Sequence, residues 1–182
     1  MNKGRASVAW QTVFLKWLAF HALFMVAHYS YDWLPNPFTY LIGGVSESVF
    51  QHMKIGFFAY AFLNLGEALL RRKHIPRKDL FWFSRMFSTS LLPLIMLIFF
   101  FMAPVYVGHI QNIPLEIVYA NIILIFTTVV TIIIELQVEQ SSLMDSFKVV
   151  VVLFFLVGLS LYIVFAYKMP WCDVFTIPPG WE

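Results

Sequence analysis

The stretch GGVSESVFQHMKIGFF, which begins at residue 43, places ionisable side chains at the start of an otherwise apolar segment. Glu47, His52 and Lys54 offer an acid, an imidazole and an amine within about two helical turns. On a helix, Ser48 and His52 share one face, and Glu47, Gln51 and Lys54 share the adjacent face. Ionisable groups in a membrane-spanning segment usually face the bundle interior or a wet cavity, so these residues predict a polar pocket.

Other polar residues are expected at the same end of the molecule. His28 and Asp32 are spaced one helical turn apart, and His109 follows Gly108 in a short turn. Imidazole and carboxylate are zinc ligands, so His28, His52 and Glu47 are the predicted metal ligands, with a divalent metal such as zinc as the candidate cofactor. The predicted pocket residues are Glu47, Ser48, Gln51, His52, Lys54, Asp32 and His109.

The composition indicates an integral membrane protein of the all-α class. Of the 182 residues, 60% are hydrophobic and only 12% are charged, whereas soluble domains are about 25% charged. One cysteine, Cys172, excludes an internal disulfide framework and a paired-cysteine zinc knuckle. The N-terminus lacks the pattern of a cleavable signal peptide. We expect a multi-pass protein of the cell membrane whose partner is the lipid bilayer, not nucleic acid.

Five segments are long and apolar enough to span a bilayer within one domain, 1–182. They cover residues 9–29, 46–70, 81–107, 114–136 and 147–167. The third is expected to begin as an interfacial piece and to bend into its span at Pro93. Residues 32–44, rich in proline, asparagine and glycine, are expected to form a structured cap or a re-entrant loop.

The distribution of basic residues predicts the orientation of the bundle. The loop after the second span contains Arg71, Arg72, Lys73, Arg77 and Lys78, and the N-terminus carries two more basic residues. Cytoplasmic loops are enriched in lysine and arginine, so the N-terminus is predicted to be cytoplasmic and the tail 168–182 to lie outside. The predicted pocket then faces outward.

Three acidic residues are expected near the cytoplasmic side. Glu67 and Arg71 are spaced for an ion pair within one helix. Glu135 and Glu139 are expected to be solvated or paired with Lys148.

The motif ESVFQHMK resembles that of a family of uncharacterised small multi-pass prokaryotic membrane proteins, whose members carry a stretch like VNESVWEHMKL. The matching residues are Glu47, Ser48, Val49, His52, Met53 and Lys54. Gln51 departs from the pattern, where the family tends to have glutamate. The preceding HYSYDWLPN is also similar, and the resemblance covers the first third of the chain. It implies a membrane helical bundle but no activity.

A more distant resemblance is to the superfamily of zinc-dependent alkaline ceramidases and adiponectin receptors. That group carries Ser-x-x-x-His on its second helix, as Ser48 and His52 would supply. Its later His-x-x-x-His pair and two of its spans are missing here. This likeness implies zinc chemistry on a lipid-like substrate.

Four functions are compatible with these residues. The first is binding or transport of a cation, a metal or a small polar solute, with a homo-oligomer or larger membrane complex as assembly. The second is a zinc-dependent hydrolase in which Glu47 acts as the general base. The third is a haem-carrying subunit, with His21 or His28 facing His52 or His109. The fourth is an accessory subunit whose polar groups only link its helices.

Overall fold

The protein is a bundle of helices. The computed structural model describes residues 10–108, 110, 112–170 and 172–177, which contain no strand. Their α-helices are α1 Trp10–Trp33, α2 Pro37–Ile42, α3 Val49–Arg71, α4 Lys78–Val107, α5 Ile113–Gln140 and α6 Asp145–Tyr167, and a 3₁₀ turn covers Asp173–Phe175. All of these helices except α2 are long and apolar enough to cross a membrane. The prediction of an all-α bundle with five such helices is confirmed.

The observed helix ends differ from the predicted spans for local reasons. The second span starts at Val49 instead of residue 46, because the Ser48 hydroxyl accepts from the Gln51 N–H and caps α3. Asn112 caps α5 in the same way, with proline in the first turn as predicted. The predicted interfacial piece before Pro93 is not a separate element, because α4 is continuous from Lys78 to Val107.

The segment between α1 and α3 is a structured cap built around α2. Asn36 and Thr39 form a reciprocal capping box at the start of this helix. The hydroxyl of Tyr167 in α6 donates to the Pro37 carbonyl at 3.2 Å. The cap therefore connects neighbouring ends of α1, α3 and α6. We call this end of the bundle the outer end, after the predicted orientation.

Helices α1, α3, α4 and α5 enclose the main core, and α6 packs against α4. Gly56 allows α3 and α4 to approach closely. A Cβ atom there would lie 3.0 Å from Leu92 Cδ2 and 3.1 Å from Met96 Cε. Small residues at such positions are typical of packed membrane helices.

The opposite end, the inner end, is held together by a buried network of charges. Lys16 of α1 contacts Glu67 of α3 at 2.7 Å and also contacts Glu135 of α5. Arg85 of α4 contacts Glu67 at 2.8 Å, Glu135 at 3.5 Å and Glu139. Buried charges are stable only when paired, and here each pair joins different helices.

The remaining members complete this inner network. Tyr60 donates its hydroxyl to the second oxygen of Glu135 at 2.9 Å. Arg71 contacts Glu67 at 2.5 Å, which confirms the predicted pair within α3.

The expectation for Glu135 and Glu139 was wrong. Glu135 is fully buried and pairs with Lys16 and Arg85, and Glu139 pairs with Arg85. Lys148 instead contacts Asp79 and Asp145. The carboxylates turn inward because cations from α1 and α4 reach the same depth in the bundle.

We expect Glu135→Ala to lower the free energy of unfolding by about 3–5 kcal/mol, because it leaves the ammonium of Lys16 and the guanidinium of Arg85 without a shared buried acid. Asp145→Ala is the control, since that carboxylate is 96% exposed and its ion pair contributes about 1 kcal/mol or less. Unfolding in detergent solution measures both. Equal small losses would contradict a structural role for the network.

Candidate metal centre

Three side chains from separate elements meet at the outer end of the bundle. His28 lies near the end of α1, Glu47 in the segment before α3, and His52 in the first turn of α3. The cap at Ser48 places Glu47 outside the helix, where its side chain can turn back toward α1. All three are partly buried.

The potential ligand atoms are close together. Nε2 of His28 lies 3.3 Å from Nε2 of His52. Oε2 of Glu47 lies 3.4 Å from the His52 nitrogen and 3.6 Å from the His28 nitrogen. Ligand atoms about 2.0–2.1 Å from a tetrahedral zinc ion are about 3.3–3.4 Å from one another. The three atoms thus match one triangular face of a zinc coordination tetrahedron.

His52 is oriented by a contact behind its ring. Its Nδ1 lies 2.9 Å from the Ser48 carbonyl oxygen, which can only accept, so Nδ1 carries the proton. With the proton on Nδ1, the Nε2 atom of His52 faces the cluster and could ligate a metal through its lone pair. Metal-binding histidines commonly have such a backbone contact. For His28, Nδ1 is buried and has no hydrogen-bond partner within the described part of the chain.

Glu47 is ionised at neutral pH. Its contacts with His28, and then with His52, hold the pKa of its carboxyl group well below the usual range, against the opposing effect of partial burial. A carboxylate flanked by two imidazoles can ligate a divalent cation or form hydrogen bonds with protonated rings.

The cluster opens into a cavity of about 200 Å³ bounded by α1, α3, α4 and α5. Its deeper part is apolar, where Phe24, Met96 and Leu124 form a floor of buried side chains. Glu116 and Asn121 add polar groups on the α5 wall. The site is therefore polar at the end of the bundle and apolar toward its middle.

The structure brings together only part of the predicted pocket. Glu47 and His52 line the cavity, together with the predicted ligand His28. Asp32 is exposed and does not line it, and Ser48 is the helix cap behind His52. His109 lies outside the described residues.

Gln51 and Lys54 are buried but do not line the cavity. The ammonium of Lys54 donates to the carbonyl of Tyr40 in the cap, at 2.9 Å. Neither amide atom of Gln51 has a hydrogen-bond partner in the described ranges. The helical spacing that grouped them with Glu47 does not apply, because Glu47 precedes the helix and does not follow its periodicity.

Sequence reasoning missed the apolar part of the α5 wall and the pairs that connect different helices in the inner network. Lys16 and Arg85 are basic residues within apolar segments, and such residues usually face polar partners inside a bundle. Matching their depth with that of Glu67 and Glu135 would have revealed the network. Ile117 and Leu124 carry no comparable signal, since apolar residues are expected throughout α5.

These features define a multi-pass helical membrane protein with a His–Glu–His cluster at one end of its bundle. The sequence matches no family model, and no similar curated protein or solved structure was found.

We expect Lys54→Met to change the free energy of unfolding by about 1 kcal/mol or less, because an apolar chain of similar length replaces a buried charge held only by the carbonyl and the ring of Tyr40 among the described contacts. Thermal unfolding in detergent measures the change. A loss as large as that expected for Glu135→Ala would show that Lys54 has a further buried partner.

Proposed function

We propose that this protein binds a divalent transition metal, zinc, at the outer end of its bundle in the cell membrane, with His28, Glu47 and His52 as ligands. The observation that carries this proposal is the arrangement of two Nε2 atoms and one Oε2 atom, 3.3–3.6 Å from one another. Soft or borderline metals favour imidazole over the all-oxygen sites of calcium and magnesium.

The cluster has the composition of a zinc site that keeps an open position. Structural zinc sites are closed by four protein ligands, whereas three ligands leave room for water or another molecule. The cavity adjoins the cluster and supplies that room. A bound ligand is thus expected to contact the metal from the cavity side.

Binding is favoured over transport by the walls below the cluster. Phe24, Met96 and Leu124 close the cavity toward the bundle middle, and Leu92 is fully buried one turn beyond Met96. A metal ion leaving the imidazoles would lose its ligands there, and burying an unpaired charge is costly. The function proposed here needs no passage through this apolar layer.

Two alternatives receive less support from the geometry. If Glu47 ligates the metal, it cannot also be the general base expected of a hydrolase. The rings of His28 and His52 have centroids 5.2 Å apart. A haem held between two axial imidazoles would have to pass through that gap, and the rings are too close for this.

We expect His52→Ala and Glu47→Gln to weaken zinc binding by about a hundredfold or more. Mutating a residue that only hydrogen-bonds to a metal ligand already lowers metal affinity by about 10–100-fold. The measurement is competition with a chromophoric zinc chelator, using purified protein in detergent. His21→Ala is the matched control, because it removes an imidazole from the same helix as His28 but does not line the cavity. Equal affinity in all variants would contradict the proposed site.

A further inference from the structure

The cavity reaches the lipid-facing surface between α1 and α5. At the inner end, the ion pair of Lys16 and Glu135 joins these helices. Toward the outer end, each helix contributes cavity-lining residues that are also exposed. These residues are Met25 and Tyr29 of α1 and Ile117 and Ala120 of α5. In a bilayer, the cavity therefore has a lateral opening to lipid.

The cavity is polar near the outer end and apolar toward the bundle middle, as a lipid is polar at its head and apolar along its chains. The His–Glu–His cluster lies at the level of the stacked rings of Tyr29 and Trp33, which mark the membrane–water boundary. Leu124 on the floor lies about two turns deeper along α5 than Glu116. A ligand that fits this gradient has a polar head at the cluster and an apolar chain leaving through the lateral opening.

The charges at the cluster specify the head of such a ligand. A divalent metal with one carboxylate and two neutral imidazoles keeps a net positive charge, and its open position suits an anionic oxygen. A phosphate group supplies such an oxygen.

From this arrangement we propose that the site takes up a bilayer phospholipid, whose phosphate binds the metal and whose chains extend between α1 and α5. This inference rests on the metal site proposed above. It assigns a ligand and an entry route to that site and requires no bond to be broken.

Cobalt-substituted protein in detergent tests the inference, because the visible absorption of cobalt changes when its fourth ligand changes. The probes are dihexanoyl phosphatidylethanolamine, which has short chains, and glycerophosphoethanolamine, which has the same head and no chains. We expect the lipid to change the spectrum at concentrations at least tenfold lower than the chainless head group. Ala120→Trp, which fills the lateral opening, should remove that advantage.

Val118→Trp is the matched control, since it adds the same ring to an exposed position of α5 that does not line the cavity. Both tryptophan variants should bind cobalt as the parent protein does. Cobalt binding with no response to lipid, equal potency of the two probes, or equal effects of the two tryptophans would overturn the lipid inference and leave the metal site intact. Failure to bind cobalt would overturn the metal site and, with it, this inference.

Discussion

The arrangement of this protein depends on one constraint, which is that charges carried into a membrane must be paired inside the bundle. At the inner end, four charged side chains from four different helices form ion pairs with one another. They are Lys16, Arg85, Glu67 and Glu135. This network determines which faces of α1, α3, α4 and α5 turn inward. The same inward faces carry His28 and His52 at the outer end, so both polar clusters lie within one four-helix core.

The two clusters differ in how their charges are satisfied. The inner network pairs acids with lysine and arginine, so its partners are supplied by the chain itself. The outer cluster pairs one carboxylate with two imidazoles, which can also bind a metal. Between them lies an apolar layer that includes Phe24 and Leu92. A structural role therefore accounts for the inner network, whereas the outer cluster retains ligand atoms and an adjacent cavity.

The number of membrane-length helices and the identity of the cluster could be predicted from the sequence, because long apolar segments and rare polar residues are local signals. Two features could not. The pairing of Lys16 with Glu135 joins residues that are 119 positions apart, and no local pattern specifies which helices are neighbours. Helical spacing grouped Glu47 with Gln51 and Lys54, but the cap at Ser48 places Glu47 before the helix, so that periodicity did not apply to it.

We propose that two imidazoles and one carboxylate hold a metal at the outer end. X-ray absorption spectroscopy of the zinc-loaded protein tests it most directly, because it identifies the atoms bound to the metal. We expect four nitrogen or oxygen neighbours at about 2.0–2.1 Å, with the scattering pattern of two imidazole rings. A shell that includes sulfur from Cys172, or one of oxygen atoms without imidazole, would contradict the account.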